Sequence, residues 1–334
     1  MKRSDFFFSL GLGGVFSLLE NRQTALSPNR IIKPARLKKG DTIGLISPAS
    51  IIPERERYEE IEETMRKLGF KVKVGRHALE QRGYFAGTDR QRAEDFNSMF
   101  RDPEVDAVIP FRGGWGSNRI LPYIDFEAIA GNPKPLIGFS DITSLLLSIY
   151  AKTGLVTFHG PVGKSDWTEF TFRHFKRAVM RKSTLALRNP EHEMPQTLRP
   201  GMASGPLLGG NLTVLASMLG TDYLPNFDGA ILFLEDIGED VYRIDRLLTQ
   251  LKMGGILDKV NGIYFGKCTD CLPGNDYSLT LDEVMRDHFL PLDVPVCTGA
   301  MIGHIRDMFT LPVGLRGTLN AKNGTLTFSE PAVI

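Results

Sequence analysis

A serine at the break between an apolar strand and a helix is the best-placed nucleophile in this sequence. It stands in Gly138-Phe139-Ser140-Asp141-Ile142-Thr143. A sharp strand-to-helix turn exposes Oγ, points the next amide (Asp141) the same way, and sets the positive end of a helix behind a developing oxyanion. The same residues also suit a plain helix start, because serine is a favoured N-cap. Ile142 stands where a Gly-x-Ser-x-Gly elbow has its second glycine. A second segment, Arg112-Gly113-Gly114-Trp115-Gly116-Ser117, carries three glycines. Its amides can approach a ligand closely, as an oxyanion hole or phosphate cradle requires, or the segment is simply a tight turn. It has neither the lysine and spacing of a P-loop nor Gly-x-Gly-x-x-Gly.

Glu235 directly follows the apolar run AILFL over 230–234, and His304 stands in Gly303-His304-Ile305. A carboxylate at a strand's carboxyl end can orient an imidazole, and an imidazole can serve a serine as general base. Taken singly, each reads better as something plainer: Glu235 or Asp236 as a helix cap, and His304 as a turn residue. The other histidines (His77, His159, His174, His192, His288) lack metal-ligand spacing, and His192 reads as solvated. Cys268-Thr269-Asp270-Cys271 is a CxxC with no second one, and Cys297 is the only other cysteine, so these read as free or packed thiols. No metal and no cofactor is expected.

These residues need a scaffold of alternating strands and helices. Strands are expected at 42–46, 70–74, 107–111 and 136–139, with helices at 55–68, 89–100 and 142–150. This alternation predicts an α/β doubly wound parallel sheet, with ligands at the carboxyl ends of its strands, in the loops after Phe111 and Phe139. Residues 41–164 form the expected N-terminal domain. Residues 165–204, polar and carrying Pro190, Pro195 and Pro200, are expected as an inter-domain connection, with Trp167 as a packing residue. A second domain covers 205–334; it opens with a helix started by Gly209-Gly210-Asn211 and ends in a hairpin with a type I′ turn at Asn323-Gly324.

The chain has 334 residues, a length that suggests two domains, and its 40 Lys+Arg nearly balance 39 Asp+Glu. A net charge of +1 argues against a dedicated nucleic-acid binder. An apolar content of 42% excludes disorder as the main state, and three cysteines cannot build a disulfide framework. No apolar run is long enough for an integral membrane span. At the start, Lys2 and Arg3 precede an uncharged apolar stretch over 6–19, the pattern of an export signal. Residues 1–25 are therefore expected as that signal and 26–40 as a linker, giving an exported, periplasmic protein. The alternative is an N-terminal helix on a cytoplasmic one.

Five segments agree in order. They are strand–Gly-Phe-Ser-Asp–helix, Arg-Gly-Gly-x-Gly-Ser, Gly-Gly-Asn-Leu-Thr-Val-Leu, Leu-Glu-Asp-Ile-Gly-Glu, and Gly-His ahead of Leu-Pro-Val-Gly. Together they resemble the LD-carboxypeptidase family, from about Arg36 to about Glu330. That family contains murein tetrapeptide carboxypeptidases and microcin C self-immunity peptidases. The resemblance implies a flavodoxin-like N-terminal domain, a smaller β-rich α/β C-terminal domain, and a homodimer without metal. It implies Ser140 as nucleophile, His304 as general base and Glu235 as its orienting partner. The oxyanion hole would combine the amide of Asp141 with one from Gly113 or Gly114, all in a cleft between the domains. The implied reaction is acyl transfer at an amide between an L-centre and a terminal D-Ala of a small muropeptide. Arg112 or Arg246 would meet the free carboxylate. Three alternatives stand beside this: a microcin-C-type peptide–nucleotide amide hydrolase, an α/β-hydrolase esterase with its whole triad on one sheet, and a non-catalytic cell-wall peptide binder with Ser140 as a cap.

Overall fold

The computed structural model describes Pro28 and residues 30–334. The expected export signal over 1–25 lies outside the described residues. The first half runs β1 (Thr42–Ile46), α1 (Glu56–Lys67), β2 (Lys71–Val74), α2 (Asp89–Arg101), β3 (Ala107–Pro110), α3 (Phe126–Gly131), β4 (Ile137–Gly138), α4 (Thr143–Thr153) and β5 (Thr157–His159). β1 pairs in parallel with β2 and β3, and β4 with β5. A parallel bridge between Val108 and Leu136 joins the two groups. The resulting order 2-1-3-4-5 is the flavodoxin-like one. It reverses direction between β1 and β3, and a ligand crevice opens at the carboxyl ends of those strands. β3 is buried along its whole length, as a strand covered on both faces must be. α1 buries Tyr58, Ile61 and Met65 at helical spacing. Thr88 and Gln91 close a capping box that starts α2.

The second half contains α5 (Glu169–Phe175), β6 (Leu185–Leu187), β7 (Gln196–Arg199), β8 (Met202–Asn211), α6 (Leu212–Ser217), β9 (Ile231–Ile237), α7 (Val241–Met253), β10 (Gly262–Thr269), α8 (Leu281–Phe289), β11 (Val296–Thr298), β12 (Leu311–Val313), β13 (Arg316–Asn320) and β14 (Thr325–Phe328). Eight of these strands form one sheet in the order β6-β14-β13-β8-β9-β10-β11-β7. It is the wider of the two sheets. Its centre, β8 to β11, is parallel, and its flanks are antiparallel.

Three expectations are corrected here. Residues 165–204 are not an irregular connection, because they carry α5 and supply β6 and β7, the two edges of the wide sheet. β6 buries Leu185 and Leu187 but is only three residues long, and β7 is exposed or half-buried throughout, so neither shows a sustained alternation that reveals a strand. β12 leaves its own half and pairs antiparallel with β5, so the first sheet takes a strand from residues 205–334. The β13–β14 hairpin pairs Asn320 with Thr325 across a four-residue loop, 321–324. Within that loop only Gly324 has a positive φ, whereas a type I′ turn needs two such residues. Gly209-Gly210 lies at the end of β8, and Asn211 caps α6 through its side chain.

His159, at the end of β5, is buried edge-on against Phe139 and Phe233, at ring distances of 6.0 and 5.1 Å. Neither ring nitrogen has a partner among the described residues. Burial drives its pKa down to about 3, and the neighbouring His304 adds to the effect. In the unfolded chain the ring titrates near ~6.5, so below that pH the unfolded state holds the extra proton. The neutral ring's contribution to stability is therefore complete above ~6.5 and is lost as the pH falls toward about 3. His159→Phe is expected to flatten the drop in melting temperature between pH ~7 and ~4.5. Parallel acid limbs in the two proteins would contradict this.

Candidate active site

β4 delivers the chain to an elbow. Phe139 is extended (φ −149°), Ser140 turns to φ 63°, and a 3-10 turn over Ser140–Ile142 leads into α4. A non-glycine residue there costs on the order of 1–3 kcal/mol, so the neighbours must over-determine it. Ser140 is not an N-cap, because it lacks the extended backbone of a cap and no side chain bonds the first turn of the 3-10 segment or of α4. Gly138 is required by packing, since a Cβ there would lie 2.8 Å from Ile142 Cγ2.

The glycine loop after β3 is laid against this elbow. A Cβ on Gly113 would sit 3.3 Å from both Ser140 Oγ and Asp141 N. The loop is stitched down by Ser117. Its amide donates to the Asp141 carboxylate (2.8 Å), and its hydroxyl contacts the Asp141 carbonyl and Ser144 Oγ. Burial pushes the Asp141 pKa up. Arg92, buried beneath the loop, donates to the Gly116 carbonyl at 2.8 Å. The amide of Asp141 lies in the first turn, where helix N–H groups have no intrahelical acceptor. The space between that amide, Gly113 and Oγ has the place and polarity of an oxyanion hole. Gly113 is not at a positive φ, so alanine fits its backbone and the added methyl would fill that space. Gly113→Ala is expected to lower kcat by about 10²–10³ with KM changed only a few-fold. An unchanged kcat in steady-state assays would place the oxyanion elsewhere.

Glu235 and His304 come from the wide sheet. Glu235, near the end of β9, is 0% exposed, and its Oε2 lies 2.8 Å from His304 Nδ1. Its Oε1 has no partner among the described residues. His304 follows β11 in a loop anchored by Thr269, whose hydroxyl donates to the His304 carbonyl (2.9 Å). Gly303 has φ 116°, and a Cβ there would lie 2.9 Å from Glu235 Oε2, so only glycine lets the chain pass. With Nδ1–H donated to the carboxylate, Nε2 carries the lone pair. The His304 ring packs 4.8 Å from that of Phe139, the residue before Ser140. Asp236 does the capping that Glu235 does not. It accepts from Asn211 Nδ2 and from the amide and hydroxyl of Thr213 at the start of α6.

The two halves meet where the Asn211 amide donates to Thr143 Oγ1 (3.0 Å). A pocket of about 970 Å³ opens beside this seam. Ser140, Asp141 and Gly114 line one wall, and Asn211, Asp236 and His304 the other. Ser140 thus belongs to the first sheet and its candidate partners to the second, which contradicts a one-sheet esterase triad. Arg112 lines the pocket and donates to the Ile51 carbonyl (3.2 Å). Arg246 does not line it. Its guanidinium lies 5.2 Å over the Tyr242 ring on the exposed face of α7, a position its sequence neighbourhood does not reveal. Tyr84, Phe85, Arg119 and Glu239 also line the pocket and escaped sequence reasoning, as did the outward Trp115. For Trp115 the signal was available: a large aromatic held between two glycines of a ligand loop.

The remaining motifs lie outside the pocket. Trp167 packs edge-on against Phe175 at 5.1 Å, and His192 is exposed. All three cysteines are free, with Cys271 Sγ donating to the Thr269 carbonyl (3.7 Å) and burial pushing the Cys297 thiol up to about 12. Among the described residues no group of His, Cys, Asp or Glu is arranged to hold a metal, and no helix is long and apolar enough to cross a membrane.

Comparison with known proteins follows the same division of the chain. The family described as LD-carboxypeptidase N-terminal domain matches residues 43–160, and the LD-carboxypeptidase C-terminal domain matches 204–319. A probable murein peptide carboxypeptidase of Bacillus subtilis is 40% identical, covering 88% of this chain and 93% of that protein. The murein tetrapeptide carboxypeptidase of Pseudomonas aeruginosa is 35% identical, covering 83% and 92%. Among solved structures, MccF in complex with glutamyl sulfamoyl guanosine superposes with a TM-score of 0.84 at 28% identity, over 90% of this chain and 99% of that one.

Proposed function

We propose that this chain, which belongs to the LD-carboxypeptidase family, releases the terminal D-alanine of murein tetrapeptides through an acyl-enzyme on Ser140. That it is a peptidase follows from the family, which sets aside the non-catalytic binder. The bond and the residues are the proposal. One observation carries it: a serine at φ 63° shares a pocket with an imidazole whose Nδ1 is held at 2.8 Å by a buried glutamate.

In this reading His304 Nε2 takes the proton of Ser140 Oγ as Oγ attacks the amide carbon between the L-centre and D-alanine. The carbonyl oxygen, now negative, is received by the amide of Asp141 and one from Gly113 or Gly114. The imidazolium, stabilised by Glu235, returns its proton to the leaving nitrogen, and D-alanine departs. Water, deprotonated by the same nitrogen, then hydrolyses the Ser140 ester. Because the two walls come from different sheets, the reacting groups are assembled only in the folded chain.

Incubation with L-Ala-D-Glu-diamino acid-D-Ala and mass spectrometry of the product tests the reaction. Loss of one alanine is the expected result, and an intact tetrapeptide would refute it. Cleavage of an aminoacyl sulfamoyl nucleoside in its place would support the microcin-C-type reading, which the bound ligand of the MccF structure motivates. Arg112 is the cation assigned to the terminal carboxylate. Arg112→Ala is expected to raise KM about tenfold for the tetrapeptide and much less for its C-terminal amide. Equal effects on the two would remove that role. Export, suggested by Lys2, Arg3 and the apolar stretch that follows, and a homodimer complete the proposal. Cell fractionation and sedimentation test them.

A further inference from the structure

Outside the residues that line the pocket, two basic segments lie side by side. Residues 30–39 carry Arg30, Lys33, Arg36, Lys38 and Lys39 and no Asp or Glu. Residues 173–188 run from α5 through a π-helical turn over 176–180 and past β6. They carry Arg173, Lys176, Arg177, Arg181, Lys182 and Arg188, again with no acid. The two segments are joined where the Leu37 amide donates to the Val179 carbonyl at 2.8 Å, with both side chains buried. Arg36 and Lys38, which flank Leu37, are exposed, as are Arg181 and Lys182 just beyond Val179. Of all these cations, Lys33 alone is in an ion pair among the described residues, with Glu330 at 2.6 Å. Asp41 accepts from the Lys38 amide (2.7 Å) and not from a side chain of the group. Arg173 and Lys176 lie over the rings of Phe170 (5.3 Å) and Phe172 (4.8 Å), which support their stems and leave the charge in place. On α1, by contrast, Arg57, Arg66 and Lys67 are each matched by a glutamate three or four residues away. The whole chain carries only +1, so these unpaired cations are a local field and not a general basicity.

Apolar side chains share this surface. Ile31 is 41% exposed and Ile334 61% exposed. Ile334 is tied to the first segment: its amide donates to the Pro34 carbonyl and its carbonyl accepts from the Arg36 amide, both at 3.0 Å. Exposed isoleucines among unpaired lysines and arginines have the chemistry of a surface that rests on lipid headgroups. We infer that this face docks the enzyme on an anionic lipid bilayer. The sequence favours a bilayer over a soluble polyanion. An uncharged apolar stretch behind Lys2 and Arg3 brings a chain to a membrane, and the basic face follows that stretch in the chain. Residues 20–29 separate the two, and fully extended they reach about 33 Å at most. The apolar stretch over 6–19 falls short of the ~20 residues that a helical span needs. A single short apolar anchor gives marginal, reversible membrane binding, and a polybasic patch is a second signal that makes it stable. The inference is independent of which bond is cleaved at Ser140.

The test is co-sedimentation of the full chain with two kinds of vesicle, pure phosphatidylcholine and phosphatidylcholine containing about one-third phosphatidylglycerol. Partitioning is expected to be at least about tenfold stronger on the anionic vesicles at ~0.1 M salt, and the difference is expected to vanish at ~1 M. Two double variants reverse charge in one segment each, Lys38→Glu/Lys39→Glu and Arg181→Glu/Lys182→Glu. Each is expected to lose about tenfold of the binding to anionic vesicles and none of that to neutral ones. Lys252→Glu/Lys322→Glu makes the same change in net charge outside both segments and is expected to bind as the wild type does. The melting temperature of every variant is read alongside, and an unchanged value is expected because the substituted side chains are exposed and unpaired. Equal partitioning of the wild type on the two vesicles would overturn the docking face. So would wild-type binding by both segment variants, or an equal loss in the control variant. Capture by soluble heparin, without a preference for the anionic vesicles, would assign the face to a polyanion and overturn the bilayer. Vesicle binding is read without turnover, so a failure of the Ser140 mechanism leaves this test intact.

Discussion

Ser140→Ala is expected to lower kcat for D-alanine release by about 10⁴–10⁶, with the melting temperature and circular dichroism spectrum unchanged. The size follows from the role. Without Oγ no acyl-enzyme forms, and what persists is the smaller contribution of the oxyanion hole and of binding. The fold is spared because alanine meets the same backbone demand at φ 63° that serine already meets, and Oγ is not the cap of α4. Tetrapeptide binding to the variant, measured by calorimetry, is expected to persist. A variant that turns over within tenfold of the wild type would end the serine mechanism.

Glu235→Gln is the second large effect, with kcat expected to fall by about 10³–10⁴. The substitution keeps the side chain's shape, so the change is one of charge and of proton placement. Glu235 is wholly buried and accepts from His304 Nδ1 at 2.8 Å. An amide in its place can donate its own N–H to Nδ1, which moves the ring proton to Nε2, the atom that must receive the proton of Ser140. It also withdraws the negative charge that stabilises the imidazolium. Kinetics alone would not separate these from a misplaced ring, so the ¹⁵N shifts of His304 should be read in the same variant. The expected result is the Nε2–H tautomer with a small change in KM. A kcat within tenfold of the wild type would reduce Glu235 to a packing residue.

How far these residues can be read from the sequence depends on what kind of interaction places them. The elbow at Ser140 is legible because it is local: a buried strand, a glycine and a helix start follow one another directly. That Ser140 does not act as a cap rests on a single dihedral that no residue type announces. Glu235 and Asp236 are neighbours with opposite tasks. Alternation along β9 sends one carboxylate toward His304 and the other toward the start of α6. Their order in the sequence suggests a role but does not determine which points where. The parallel core strands are legible as apolar runs, but β6, only three residues long, and β7, an edge strand with no buried residue, are not. β12 is short and gives no sign that its partner, β5, lies in the other half. The misplacement of Arg246 and the omission of Tyr84 share a cause. Both depend on long-range placement: the face of α7 that carries Arg246 points away from the pocket, and the loop that carries Tyr84 folds beside Trp115.

If Ser140 carries the acyl group, the enzyme must pass through a covalent state that can be weighed. Rapid quenching of the wild type with a murein tetrapeptide, followed by intact-protein and peptide-map mass spectrometry, examines that state directly. The predicted result is a burst of free D-alanine together with a tripeptidyl ester on Ser140, absent in Ser140→Ala. D-alanine released in a burst with the acyl group on another residue, or released undiminished by Ser140→Ala, would contradict the account.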